Sequence, residues 1–442
     1  MNKNWKVIAF FCLLWLLTVS GGYTHEGANC NILQVTNERA GIIYSISRDY
    51  DFHRGFQGTS HGEFNMKPSS KLRINRDLEH YTIFRQGKDG YFVYRIPSIS
   101  RAKDGTLIAI VEARRDNHVD PGGGHIDLVY KLSHDGGRNW SSLRIFVKSP
   151  EGWSASNPTV VVENSRGRIL VLYNVWMPGR GGGNSRPGTL DSQQWMRFSE
   201  DNGTTWSDGE DITHQARDYK NWGSAVFGPG HGIETKTGRL VIPVNAPGKF
   251  DDDSSKTASF ALYSDDGGRS WKRGQQINVF TTENQIVELD DGRLIMNARQ
   301  KDKPDIFFIY PRWVAISNDQ GETWDEPKPG QLCPEICASI ISYPCSGNNK
   351  INLLLWSGIK GPGRSNLILQ LSSDQGKSFP VELLIGPGPA AYSDMTLLDK
   401  GDVGILWEGG KEKSSDDIIF TRIPREVIMN LYLLSTLNSI VR

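Results

Sequence analysis

The 442-residue sequence has no net charge, because 50 Lys and Arg residues balance 50 Asp and Glu residues. Overall charge therefore attracts the chain neither to nucleic acid nor to an acidic membrane surface, and we expect neither partner. Apolar runs are also scarce. The mean hydropathy of -0.43 excludes a protein with many membrane spans, while 38% hydrophobic residues suffice for a sizeable core.

The one long apolar run lies at the amino terminus. Lys3 and Lys6 precede it, residues 7–19 are largely apolar, and small residues occupy positions 20–22. The run is shorter than the ~20 residues that span a bilayer, so we interpret residues 1–22 as a cleaved signal peptide. An uncleaved signal anchor is the alternative. The mature chain is then expected to be secreted or exported, to a periplasm, the extracellular space or a lysosome.

Cysteine is rare as well, with five in the chain and four after the signal peptide: Cys30, Cys333, Cys337 and Cys345. The last three are close in sequence. In an oxidising compartment this spacing favours a disulfide that staples a loop, with the pairing left open. A zinc site is disfavoured, because it would need Cys-x-x-Cys pairs and a fourth ligand nearby.

Glycine and tryptophan, by contrast, are plentiful and mark a repeat. The pattern S-x-D-x-G-x-x-[WF] occurs five times, at Ser133–Trp140, Ser199–Trp206, Ser264–Trp271, Ser317–Trp324 and Ser372–Phe379. The octet is typical of a hairpin turn, in which Asp binds backbone amides, Gly adopts positive φ and the aromatic packs back. Its aspartates are predicted to be structural: Asp135, Asp201, Asp266, Asp319 and Asp374. A calcium loop, the alternative, lacks oxygen ligands at alternate positions.

The octets start 66, 65, 53 and 55 residues apart, which is the size of a β-propeller blade. Five octets, plus one unit completed by the two chain ends, predict an all-β, six-bladed β-propeller over residues 76–430. Residues 23–75 form an amino-terminal segment of unknown role, and residues 61–77 resemble a polar linker. A tail, residues 431–442, follows; the apolar stretch 427–437 is expected to pack on the propeller as a strand or helix.

The octets are similar to the Asp boxes of the sialidase (neuraminidase) superfamily, and Tyr94–Pro97 (YRIP) resembles the [FY]-R-I-P motif of that family. The resemblance runs from about residue 81 to about residue 422. Asp boxes also occur in propellers that bind without catalysis, so activity has to be argued from the site. The resemblance implies a glycoside hydrolase, an exo-α-sialidase, that acts on sialylated glycans and needs no cofactor or metal.

Three arginines in matching contexts are implied to hold the substrate carboxylate: Arg95 in YRIP, Arg299 in MNARQ and Arg364 in GPGRSN. Planar, permanently charged guanidinium groups suit a sugar acid. Glu408 in ILWE resembles the acidic brace of the first arginine. Arg114 in EAR occupies the position of an additional pocket arginine in the family.

Tyr392 in AYSDM resembles the nucleophile of the family. A carboxylate nucleophile would be repelled by the carboxylate of the substrate, whereas a phenol assisted by a base would not. Glu283 in TTENQ matches the glutamate that takes the phenolic proton. Glu288, five residues later, is a competing candidate.

The acid/base residue is expected in the Gly-rich loop after residue 112. Asp120 fits best, and Asp116 is the alternative because this loop varies in length in the family. His118 and His125, nearby, are expected to be solvated. Three further segments resemble those that line family pockets: Asn157-Pro158, Tyr173–Met177 with Trp176, and Gly228–Ile233.

The resemblance thus implies hydrolysis of terminal sialic acid with retention of anomeric configuration through a covalent tyrosyl intermediate. Two other functions stay open. A trans-sialidase would use the same residues but pass the sialyl group to another sugar or to an internal hydroxyl. A propeller lectin would bind sialoglycans without turnover.

Overall fold

The computed structural model describes residues 78–248, 256–301, 309–344 and 352–441, together with four strands nearer the amino terminus. Nearly all regular structure in these residues is β-strand. Residues 1–17 and 20–22 of the predicted signal peptide lie outside the described residues, as do Cys30 and Cys345.

The amino-terminal strands are Thr18–Val19, Leu33–Asn37, Ile42–Ile46 and Leu72–Asn75. They pair antiparallel in that order, and the last pairs in parallel with the long strand Val381–Leu397. The prediction of a linker over residues 61–77 is therefore wrong for Leu72–Asn75, because an available strand edge satisfies their backbone groups.

From residue 80 onward, the strands form antiparallel units that follow one another along the chain. Unit 1 comprises Val93–Arg101, Leu107–Arg114, Ile126–Ser133 and Arg144–Val147. Unit 2 comprises Ser154–Glu163, Arg168–Trp176, Ser192–Ser199 and Glu210–Asp211. Unit 3 comprises Val226–Phe227, Ile233–Glu234, Leu240–Pro247, Thr257–Ser264 and Lys272–Arg273. The short strand Gly230–His231 pairs with unit 2 instead.

Unit 4 comprises Thr281–Glu288, Leu294–Gln300, Ile309–Ser317 and Lys328–Pro334. Unit 5 comprises Ser339–Tyr343, Leu353–Ile359, Ser365–Ser372 and the first half of Val381–Leu397. The closing unit comprises the second half of that long strand, Val403–Gly409, Asp417–Ile423 and His80–Arg85. The start and the end of this β-structure thus meet in one sheet.

Each octet joins the last two strands of one of units 1 to 5, as the hairpin prediction requires. In the third octet, Asp266 Oδ1 accepts hydrogen bonds from Ser264 Oγ at 2.8 Å and Ser270 N at 2.9 Å. Gly268 N donates to Ser264 Oγ, and Trp271 is buried in the core. The same bonds recur in the other four octets, so the structural role of the aspartates is confirmed.

Helices are few in the described residues. The longest, Arg425–Val441, follows the last strand, while Thr213–Ala216 and the 3₁₀ turn Asp399–Gly401 are short. Val427, Ile428 and Leu431 are buried among the core residues of unit 5, so the packed-helix alternative is confirmed and the boundary predicted at residue 431 falls inside a helix. No helix in the described part of the chain is long and apolar enough to cross a membrane.

The disulfide prediction is wrong for Cys333 and Cys337. Both carry free thiols that are buried between units 4 and 5 in one apolar cluster. Burial raises the pKa of each thiol, so these cysteines serve as small apolar core residues.

Candidate active site

Four strands carry site residues at β-bulges. The register shifts between Arg95 and Ser98, between Ser156 and Thr159, between Thr281 and Asn284, and between Ala390 and Ser393. A bulge bends its strand and changes the direction of a side chain. The four bulges direct side chains from units 1, 2 and 4 and the closing unit into one cavity of about 410 Å³.

The bulge at Arg95 is held by an acidic residue from the closing unit. Glu408 Oε1 accepts hydrogen bonds from Arg95 Nε at 2.7 Å and from Ile96 N at 2.8 Å. Ile96 has φ 59°, a conformation that costs a β-branched residue energy and persists only where its surroundings enforce it. Burial opposes the charge of Arg95, yet Glu408 raises its pKa. Glu408 therefore contacts both the predicted arginine and the backbone of its bulge.

The three predicted arginines converge on the ring of Tyr392. The guanidinium carbons of Arg95 and Arg364 lie 5.7 Å and 5.5 Å from the ring centre. Arg299 Nη1 donates to Tyr392 Oη at 2.9 Å and to Glu283 Oε2 at 2.6 Å. All five side chains line the same cavity.

Tyr392 is joined to the predicted base. Its hydroxyl donates a 2.5 Å hydrogen bond to Glu283 Oε1. Burial, followed by the charge of Glu283, raises the pKa of Tyr392 well above its usual value despite the nearby arginines. The phenol is therefore protonated at neutral pH, with an acceptor in contact. Glu288 is distant from this group and accepts hydrogen bonds from Lys236 N in another cavity.

Asp120 lies at the mouth of the cavity. Its side chain is 86% exposed, and Oδ1 accepts a 3.0 Å hydrogen bond from Arg114 Nη1. Asp116 instead lines a separate surface depression with His125. Of the two acid candidates, only Asp120 lines the cavity that contains Tyr392.

A BNR repeat-like domain model matches residues 105–405. The chain belongs to the BNR-repeat sialidase family. A sialidase of Bacteroides fragilis is 31% identical over 344 residues, which are 73% of this chain and 61% of that protein, so the chain spans less than two thirds of this relative.

Two solved structures of the family have similar folds. The Hadza microbial sialidase Hz136 has a TM-score of 0.71 at 25% identity, covering 90% of this chain and 74% of its own. The intramolecular trans-sialidase of Ruminococcus gnavus, solved with oseltamivir carboxylate, has a TM-score of 0.66 at 19% identity, covering 78% and 97%. The chain thus has an all-β, propeller-like sialidase fold.

Sequence reasoning missed two acidic residues of this sialidase-family site. Glu112 is fully buried, and its Oε2 accepts hydrogen bonds from Arg114 Nη2 at 2.8 Å and Nε at 3.1 Å. Burial raises the pKa of Glu112 although Arg114 opposes the shift. Glu335 Oε2 accepts from Arg299 Nη2 at 2.9 Å. The alternation in Glu112-Ala-Arg114 was a usable signal for the first, whereas nothing in the sequence pairs Glu335 with Arg299.

The remaining pocket predictions agree with the structure only in part. Asn157 and Trp176 line the cavity; Trp176 is buried, and its indole nitrogen donates to Ser156 Oγ. Gly228–Ile233 does not line it, so that prediction is wrong: His231, Gly232 and Ile233 line another cavity, and His231 Nδ1 lies 2.6 Å from Asp394 Oδ1. His118 is exposed as expected, whereas His125 is half-buried and lies 3.1 Å from Ser149 O.

Proposed function

We propose that the chain is an exo-α-sialidase, a glycoside hydrolase that removes terminal sialic acid from glycoproteins, glycolipids or oligosaccharides with retention of configuration. The observation that carries the proposal is the contact of Tyr392 Oη with Glu283 at 2.5 Å, beneath three converging arginines. Sialidase relatives at 31% identity support the same activity.

The arginines would hold the carboxylate of the sugar. Arg95 and Arg299 are already fixed by Glu408, Glu283 and Glu335, so little reorganisation is needed when the substrate binds. Arg364 is exposed, so its guanidinium is available to the ligand. Clamping the carboxylate would orient the anomeric carbon above the phenol.

In the first step, protonated Asp120 would give its proton to the glycosidic oxygen as the bond to the anomeric carbon breaks. Tyr392 Oη would form the new bond to that carbon while its proton passes to Glu283. The products are the free glycan, a tyrosyl-linked sugar, ionised Asp120 and protonated Glu283.

In the second step, Asp120 would take a proton from a water molecule that attacks the anomeric carbon. The bond to Tyr392 breaks, and the phenol recovers its proton from Glu283. Two displacements at one carbon retain the configuration, and the charges return to their starting state. The reaction needs no cofactor.

The proposal also covers the domain organisation of the chain. Units 1 to 5 and the closing unit correspond to six blades, over residues 76–430, which supports a six-bladed propeller. Residues 1–22 would direct export, and sialylated glycans outside the cytosol would be the substrates.

The test is Tyr392→Phe. We expect kcat for a fluorogenic sialoside to fall between ~10²- and ~10⁴-fold, because the nucleophile is lost while the cavity keeps its shape. Binding of an unsaturated sialic acid analogue should stay near wild type by calorimetry. Tyr130→Phe, whose hydroxyl lies 3.5 Å from Thr204 O away from the cavity, is the matched control.

An equal loss of turnover and binding in Tyr392→Phe would contradict the nucleophile role. No sialoside hydrolysis by folded wild-type protein from acidic to neutral pH would favour the lectin function instead.

Sialyl transfer is the second candidate, since a structural neighbour is named an intramolecular trans-sialidase, although at its 19% identity the likeness supports only the fold. Incubation with sialyllactose and an excess of isotopically labelled lactose as the acceptor, followed by chromatography with mass detection, distinguishes hydrolysis from transfer. Free sialic acid as the main product supports hydrolysis, whereas a resialylated acceptor or an internally cyclised sugar supports transfer.

A further inference from the structure

Two exposed rings lie close together beside the loop that carries Asp120. Phe92 is 39% exposed, and His118 is also exposed. Their ring centres are 4.9 Å apart with an interplanar angle of 81°, an edge-to-face arrangement. Val119, 48% exposed, follows in the same loop.

The ring pair is tied to the proposed acid through one buried arginine. Arg114 Nη1 donates to His118 O at 2.6 Å and to Asp120 Oδ1 at 3.0 Å. The backbone carbonyl of Arg114 accepts a hydrogen bond from Phe92 N at 2.9 Å. Buried Glu112 holds the same guanidinium from the other side. The rings and the carboxylate therefore keep a fixed relation to each other.

Because the two rings lie beside Asp120, their position determines which part of a substrate can contact them. In the proposed reaction the sialic acid would lie in the cavity, and the oxygen that Asp120 would protonate belongs to the next sugar. That sugar has to lie on the outer side of Asp120, where an apolar ring can pack against its C–H face.

His118 suits such a contact at neutral pH. Partial desolvation of the ring, then the cations Lys413, Arg95 and Arg114, lower the pKa of this exposed histidine, while Asp416 opposes the shift. The imidazole is therefore uncharged and presents a polar edge without a charge that would need solvation.

We propose that Phe92 and His118 form an aglycone-binding surface that receives the first sugar of the leaving glycan and favours oligosaccharides over simple glycosides. This inference rests on the proposed sialidase function.

The experiment compares kcat/KM for sialyllactose with kcat/KM for a methyl α-sialoside, whose leaving group is also an aliphatic alcohol. The ratio of kcat/KM for sialyllactose to kcat/KM for the methyl sialoside should fall about fivefold in Phe92→Ala. His118→Ala should lower this ratio as well. Phe92→Tyr should keep the ratio. Leu384→Ala, which truncates a 40% exposed apolar residue of unit 5, is the matched control and should leave both values unchanged.

Suppose that the wild type cleaves both substrates and that the ratio is unchanged in Phe92→Ala and His118→Ala. This result would overturn the inference but leave the proposed sialidase function intact. A parallel fall for both substrates would also overturn it, since it would indicate damage to the cavity. If Phe92→Ala fails to fold, the ratio measured for His118→Ala, a substitution of an exposed residue, tests the inference. Wild type that cleaves neither substrate would contradict the proposed function, and the inference with it.

Discussion

Arg364 differs from the other two arginines of the site. Arg95 and Arg299 each pair with a carboxylate of the chain, whereas Arg364 has no acidic side chain within salt-bridge distance among the described residues. Its Nη2 donates a long, 3.4 Å hydrogen bond to Glu335 O. Apart from its approach to the Tyr392 ring, this exposed guanidinium makes few contacts, so we expect it to contribute little to folding and more to binding an anion.

Arg364→Ala should therefore weaken binding of the unsaturated sialic acid analogue by about 10²-fold, the loss of one charged, bidentate contact. The midpoint of urea unfolding should not change. Calorimetry and denaturation measure the two quantities. Arg85→Ala, which removes a 62% exposed arginine from the closing unit, is the control and should bind normally. Unaltered binding by Arg364→Ala would count against its contact with the carboxylate.

Motif context identified the residues of this site but not their supports. Arg95, Arg299, Arg364, Glu283 and Tyr392 stand in recognisable local sequences, and all five line one cavity. Glu335 was missed because its partner lies 36 positions earlier, so the pairing depends on how the connection after the last strand of unit 4 folds back toward Arg299.

At the scale of the element, the five octets behave as one motif. In each, the aspartate accepts hydrogen bonds from its own turn, and its pKa is lowered. Burial opposes this shift, but the hydroxyl and amide of Ser270 lower the pKa of Asp266 to about 2. Since this value lies below that of the unfolded chain, the bonds stabilise the fold above about pH 4, and this stabilisation is lost as pH falls toward 2.

Asp266→Ala should lower the free energy of unfolding at neutral pH by about 1 kcal/mol, the cost of an uncapped turn. Its further loss of stability between pH 4 and pH 2 should be smaller than that of wild type. Urea titrations across this pH range measure both effects. Glu326→Ala, an exposed acid outside the octets, should keep the wild-type acid dependence. An equally steep acid loss in Asp266→Ala would show that other carboxyl groups cause it.

At the scale of the whole molecule, a buried carboxylate links separate units. Asp394 is fully buried in the closing unit, and its Oδ2 accepts from Ile99 N of unit 1 at 2.9 Å. Its Oδ1 is 2.6 Å from His231 Nδ1 and accepts from Ser339 Oγ of unit 5 at 3.1 Å. Strands from several parts of the chain therefore meet at one group, two residues beyond Tyr392.

Asp394→Ala should lower the free energy of unfolding by about 3 kcal/mol, because it leaves several buried donors without an acceptor. Urea unfolding followed by tryptophan fluorescence measures the change. Glu151→Ala, an exposed residue of the loop before unit 2, is the control and should change stability by less than about 0.5 kcal/mol. A comparably small effect for Asp394→Ala would contradict a linking role.

The sequence alone determined what depends on near neighbours: the octet turns, the strands before them, and the local contexts of the arginines and Tyr392. The tertiary structure decided which of two nearby carboxyl groups enters the cavity, as with Asp120 over Asp116 and Glu283 over Glu288. It also decided that Cys333 and Cys337 stay unpaired and that Glu112 supports Arg114. The direction in which a side chain points is set by the bulges and by the packing between units. The sequence alone does not reveal it, because bulges and packing arise from contacts between residues far apart in the chain.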